Sequence, residues 1–352
     1  MAGSYGAFTM NLIARLSKED WEVFVITGSE EKVEKPEKGV FQQYNFSFDN
    51  PSIKYVLESA QPDLVLFAGA ADTGFNWKTI QQQSVRYLSG LANLLLSCRL
   101  AGVPRFLYLS SDEVYEKHYE APIDEEEPLF ARSPKAVAIA QGEDLCLRCH
   151  MKHELRVTIL RIAHLYGYPV EPSHPLDFCM QMCIKALKGE TLQADGGKTF
   201  TPTFLPDAVD AVYRVAAMRH PSKTVYQISS GEAVGELQAA KLIAGLCKNP
   251  PPVEDIRNEL REAVIVSNKR ITGDLRYHTK YSFEEGATSL FALVRRHLSD
   301  FLTPGAAKTQ HFPQSGLWHA RRAAQAAALC RKPAAFYRGV HRGVFHKRQQ
   351  VL

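Results

Sequence analysis

No uninterrupted apolar run in this 352-residue chain approaches the roughly 20 residues that a bilayer-spanning helix needs. Its first residues, MAGSYGAFTM, lack the basic and apolar stretches of a secretory leader. A cytoplasmic protein is therefore expected. Without an export signal, the seven cysteines read as reduced, partly buried thiols rather than a disulfide framework. Cys146-Leu-Arg-Cys149-His150 has the spacing of a covalent haem attachment, but that chemistry demands export, and helix packing accounts for both thiols. No metal site is expected. Acidic residues are absent after Asp300, where nine Lys or Arg occur, so the remainder carries 33 basic against 38 acidic residues, a net of −5. The overall charge of +4 thus belongs to a basic tail on a mildly acidic body. Between Tyr119 and Tyr166 there is no tyrosine, and the only lysines are Lys135 and Lys152.

What is present is an alternation of strand and helix patterns. Phe8, Leu12, Ile13 and Leu16 recur at helical spacing, and Glu22–Thr27 (EVFVIT) reads as a short buried strand. Val40–Phe46 is a further strand, and Asp63–Ala70 (DLVLFAGA) is a continuous apolar run of the kind buried inside a parallel sheet. A long helix over about 77–101, a strand at Arg105–Ser110, a helix from Pro134 to about His150 and a strand at Arg156–Ile162 follow. Ser133 is the expected cap of that last helix, with Pro134 at its first position. This order predicts an α/β, doubly wound parallel sheet over residues 1–165. Residues 166–300, with longer loops, a helix at Asp177–Lys188 and a short strand at Thr224–Ser229, predict a smaller lobe with interleaved returns to the sheet. Residues 301–352 form the basic tail.

Leu107–Glu143 joins these patterns to chemistry. Ser111-Asp112-Glu113-Val-Tyr115, an acidic loop and then Ser133-Pro134 opening a helix resemble the extended short-chain dehydrogenases, the NAD-dependent epimerases and dehydratases of nucleotide sugars. Arg161-Ile-Ala-His164-Leu-Tyr166-Gly167, Thr201-Pro202-Thr203 before Asp207, and Tyr226-Gln227-Ile228 followed by Gly231 match further markers in the family's order, over about residues 2–300. The resemblance implies a Rossmann-type domain with a C-terminal substrate lobe, and NAD or NADP as cofactor. It also implies a pyrophosphate loop at Gly3, Gly6 and Ala7, with Thr9 at the third glycine position, and a small-residue turn at Ala68, Gly69 and Ala70. The family's first strand should precede Gly3 and lie in the middle of the sheet. With Met1 two residues away it is expected to be missing, either because the natural start lies upstream or because another segment fills the gap.

In that family a Tyr and a Lys four residues later share one helix face, where the Lys assists the Tyr as proton donor and acceptor. Here these positions hold Lys135 and Ile139, so the dyad is absent. Ser111, Asp112 and Glu113 match residues that bind the sugar oxygen and act as acid and base in the 4,6-dehydratases. The plainer reading is that the two carboxylates cap the strand end. Lys135 is a substitute base if burial lowers its pKa, and otherwise a solvated first-turn lysine. His164, Thr201 and Thr203 occupy substrate-lobe positions. Thr27-Gly28-Ser29 stands where an acid for the NAD ribose would be expected, with Glu30 and Glu31 further on. Two functions follow from the resemblance: an epimerase, 4,6-dehydratase or 4-keto reductase of nucleotide sugars, or a non-catalytic dinucleotide- or sugar-nucleotide-binding sensor or subunit. A homodimer is compatible with either. The basic tail suits an acidic partner or a membrane surface, and nucleic acid is not expected.

Overall fold

The computed structural model describes the chain apart from residues 4–5, 20, 28–38, 40, 70–79, 120, 154, 169–176, 258–261, 303–348 and 352. In chain order, β1 (Ala2–Gly3), α1 (Ala7–Lys18), β2 (Trp21–Thr27), β3 (Phe41–Asn45), α2 (Ile53–Ala60), β4 (Val65–Ala68), α3 (Ile80–Leu100), β5 (Arg105–Ser111), α4 (Pro134–His153) and β6 (Arg156–Ile162) make the first body. Then come β7 (Leu165–Tyr166), α5 (Phe178–Lys188), β8 (Leu192–Ala194), β9 (Lys198–Phe200), β10 (Thr203–Phe204), α6 (Leu205–Ala217), β11 (Val225–Ile228), β12 (Val234–Gly235) and α7 (Glu236–Gly245). The last are β13 (Val253–Asp255), β14 (Glu262–Val264), α8 (Lys269–Leu275), α9 (Phe283–Arg296), α10 (Leu298–Leu302) and β15 (Gln349–Val351).

The main sheet is parallel throughout, in the order β3-β2-β1-β4-β5-β6-β11. β15 also lies along β2, beside Trp21–Val23. Its inner strands β2, β4, β5 and β6 read as apolar runs because both faces are covered, whereas the edge strand β3 (FQQYN) is polar and partly exposed. Val65 and Phe67 of β4, with Phe106 and Tyr108 of β5, point into a core shared with α2, α3 and α4. The alternate residues Leu66, Ala68, Leu107 and Leu109 point into a second core shared with α1 and α6. This is the Rossmann-type doubly wound fold.

The expected gap at the first strand is not there. β1 fills it with two residues: Ala2 pairs with Ile26 on one side and with Phe67 on the other, and Gly3 pairs with Ala68. The Met1 carbonyl accepts from the Ile26 amide at 2.8 Å, so a short stub supplies the middle of the sheet. Beyond residue 200 the chain returns to the first body, with α6 against α1 and β11 beside β6. The smaller lobe has its own core of Cys179, Met180, Cys183, Ile243, Leu290 and Phe291, from α5, α7 and α9. Apart from Phe301 and Leu302 at the end of α10 and the strand β15, the basic tail lies outside the described residues.

Candidate functional site

The chain order reverses at β1, and α1 begins beside that point. Gly6 caps α1 in an extended conformation, without a side-chain hydrogen bond and with no acidic residue in the first turn. The helix's first amides and its dipole are thus offered to an anion. Thr9, at the third glycine position, is buried and returns its hydroxyl to the Gly6 carbonyl at 3.1 Å, so it is accommodated within the turn. Ala68 and Gly69 are buried at the end of β4, while Ala70 lies outside the described residues. A Cβ on Gly69 would sit 2.2 Å from the Phe67 ring, so the small residue there answers to packing. At the end of β2, the Thr27 hydroxyl donates to Asn45 Oδ1 at 2.8 Å, and Gly28, Ser29, Glu30 and Glu31 lie outside the described residues.

The carboxyl ends of β5 and β6 gather the candidate chemistry. Ser111 caps a 3₁₀ turn over Asp112–Val114, accepting from the Glu113 amide at 3.2 Å and donating to Asp112 Oδ1 at 3.3 Å. Asp112 Oδ2 accepts from the His164 amide at 3.0 Å, across the ends of the two strands. Burial raises the Asp112 carboxyl to about 7, against the lowering effect of that bond. Glu113 turns the other way and meets Lys135 Nζ at 2.8 Å. Lys135, in the first turn of α4, is therefore the partner of a half-exposed carboxylate, not an isolated buried amine. Ser133 Oγ accepts from the Ala136 amide at 3.2 Å, as a cap should. Ile139 is buried in the core beneath α4.

His164 adopts a positive φ of 23°, which a side chain other than glycine rarely takes. Its ring packs on Phe200 at 4.3 Å between centroids. Burial pulls its pKa below the ordinary range, against Asp177, Glu113 and Glu236. Asp177, raised to about 6 by burial, caps α5 by accepting from the Met180 amide at 2.9 Å and also accepts from the Gly167 amide at 3.2 Å. Thr203 ties its own amide to the His164 carbonyl at 3.1 Å, and its buried hydroxyl has no partner among the described residues. Thr201 does not join this group. It is fully buried and accepts from the Val266 amide at 2.9 Å.

A buried network beneath the turn had little signal in sequence. Arg161 on β6 donates to Glu143 of α4 through Nε at 3.0 Å and Nη2 at 2.7 Å, and also bonds the Tyr115 hydroxyl. Gln227 of β11 donates to the same hydroxyl at 2.9 Å, while its amide donates to Glu125 at 2.8 Å. Arg270 pairs with Glu125 at 3.2 Å. Arg161, Tyr115 and Gln227 carry the family resemblance, but nothing in the pattern joins Glu143 or Glu125 to them. The haem-like cysteines are explained by packing: Cys146 and Cys149 are buried on α4, and His150 Nδ1 accepts from the Val157 amide at 3.1 Å.

With this geometry, a parallel sheet reversing at β1 and a glycine turn at a helix start define a Rossmann-type dinucleotide fold. Residues 1–229 match the NAD dependent epimerase/dehydratase family, and the chain belongs to it. It is 27% identical over 224 residues to the low-salt glycan biosynthesis protein Agl12 of Haloferax volcanii, covering 60% of this chain and 68% of that one. It is 24% identical over 234 residues to human dTDP-D-glucose 4,6-dehydratase, covering 66% of this chain and 65% of that one. The UDP-glucose 4-epimerase of Thermotoga maritima, solved with UDP-glucose, superposes with a TM-score of 0.74 at 21% identity, over 84% of this chain and 98% of that one. The UDP-glucuronic acid 4-epimerase of Bacillus cereus, with UDP-glucuronic acid and NAD, gives 0.71 at 18% over the same shares. At these identities the structural likeness is one of fold.

The residues present fit NAD at one end only. The start of α1, without a side-chain cap or an acidic residue, suits a pyrophosphate, whereas Ile139 offers no cation to a nicotinamide ribose.

Proposed function

We propose that this protein binds NAD and a nucleotide sugar along the carboxyl edge of its sheet, in the cytoplasm, without the hydride transfer of its active relatives. The family membership and the uncapped start of α1 support the dinucleotide. The sugar nucleotide is supported by relatives named for dTDP-glucose and by structural neighbours solved with UDP-sugars. One observation carries the loss of hydride chemistry. Of the two helix positions that would hold the Tyr and Lys, one bears Lys135 tied to Glu113 at 2.8 Å, and the other bears Ile139 inside the core. No phenol stands there to act as the base that takes the alcohol proton, and no cation to assist it.

Calorimetric titration of the full chain with NAD, UDP-glucose and dTDP-glucose tests the reading. Binding of NAD and one of the sugar nucleotides is expected, with neither NADH nor a changed sugar on prolonged incubation. Turnover of either sugar by oxidation would overturn it, and so would the absence of any binding. A self-paired dimer through the outer faces of α3 and α4 fits this reading, since Leu96, Leu100 and Met151 stand exposed on those neighbouring helices.

A further inference from the structure

Resting on the dinucleotide reading, we infer that β15 is a complementing strand whose docking on the amino side of β1 holds the NAD site together. β2 has two flanks, and the pairings settle which one β15 takes. Ile26 pairs with Ala2 of β1 and with Tyr44 of β3, so β1 and β3 lie on opposite flanks. Val23 pairs with Phe41 of β3 and with Val351 of β15, so β15 shares the flank of β1. Both run parallel to β2. Ala2 stands opposite Ile26 and Val351 opposite Val23, with only Phe24 and Val25 of β2 between those points. Met1 belongs to that interval, its amine donating to the Phe24 carbonyl and its carbonyl accepting from the Ile26 amide at 2.8 Å. Residues 349–351 and 2–3 thus follow one line along β2, in one direction, as two pieces of a single central strand.

Backbone chemistry gives the reason. Trp21 and Val23 are buried, and a buried strand must pair its amides and carbonyls on both flanks. β1 pairs with β2 only at Ile26, so Trp21–Val23 need a second strand on that flank, and β15 supplies it. Gln349-Gln350-Val351 carries neither a charge nor a proline, each of which opposes a place inside a sheet. The link to the ligand is short. Gly3 ends β1 and Gly6 caps α1, so what fixes β1 also fixes the anion-binding turn. A two-residue strand by itself frays easily, and β15 closes the slot from which it would fray. The coupling runs both ways: if docking favours NAD, then NAD favours docking by the same factor.

The test uses the full chain and separates docking from its effect on NAD. Glu22→Cys combined with Gln350→Cys puts thiols at directly partnered positions, and neighbouring strands lie within the spacing that a disulfide bridges. Mild oxidation should join residues 22 and 350 within one chain, read by peptide mass mapping. Absence of that link, or a link between two chains, overturns the proposal. In the unmodified chain, NAD should slow amide hydrogen exchange over residues 21–23 on the order of tenfold, a usual size for coupled sites. Gln350→Pro, which removes an amide and is disfavoured inside a sheet, should weaken NAD binding by a similar factor in calorimetry. Unchanged exchange, or unchanged affinity in a folded Gln350→Pro variant, overturns the coupling. If that variant does not fold, the exchange measurement on the unmodified chain decides. If the unmodified chain binds no NAD, the underlying reading falls, while the disulfide still reports whether β15 occupies the slot.

Discussion

Glu143 is 1% exposed and takes both arms of the Arg161 guanidinium, with the Ser110 hydroxyl on the same carboxylate. Leaving one buried charge of such a pair unmatched costs about 3–5 kcal/mol. Glu143→Ala should lower unfolding stability by about that much in urea titration, and Glu143→Leu with Arg161→Met should recover part of the loss. Asp112 gives a pH signature. Its carboxyl is raised from an ordinary 3.8 to about 7, so the folded state holds the proton more tightly than the unfolded chain. That contribution is complete below about pH 4 and is lost as pH rises through 7. Asp112→Asn should therefore flatten the fall in stability between pH 4 and 7, and an unchanged curve would show that Asp112 ionises freely. The identities of these residues stand in the sequence, but their roles do not. Asp112 and Glu113 are neighbours in the chain, and only the turn after β5 sends one inward to the His164 amide and the other outward to Lys135.

Elements were the most legible level. The strand expected at Arg156–Ile162 forms over those residues, and the helix opening at Pro134 forms with Ser133 as its cap. Their signals are local: apolar runs for buried strands, proline and serine for a helix start. The close seating of α4 on β5 is not local. It depends on Gly142, where a Cβ would lie 2.3 Å from the Tyr108 hydroxyl, which itself bonds the Ile139 carbonyl. The start of α1 yields a prediction at this scale. An aspartate at Gly6 would cap the helix with its own charge, for which caps typically give about 1 kcal/mol. Gly6→Asp should thus weaken NAD binding at least about tenfold by calorimetry, a loss of about 1.4 kcal/mol, through repulsion of the pyrophosphate. Equal affinity would place the dinucleotide elsewhere.

Across the whole molecule, the exposed apolar residues of α3 and α4 lie on two helices that pack side by side. If a second copy covers them, sedimentation should show a dimer, and Leu96→Glu should release monomers that still bind NAD. A monomer in the unmodified protein would remove that assembly. Composition and pattern by themselves determined the doubly wound class, the run of family markers and the absence of the Tyr and Lys dyad, since each is a matter of which residue follows which. Tertiary structure alone decided that the middle of the sheet is held by the two residues of β1, that the Thr201 hydroxyl accepts from the Val266 amide, and that Lys135 is paired with Glu113. The physical reason is the same in each case. Strand pairing, burial and ion pairing depend on distances between segments far apart in the chain, and no local pattern of residues encodes those distances.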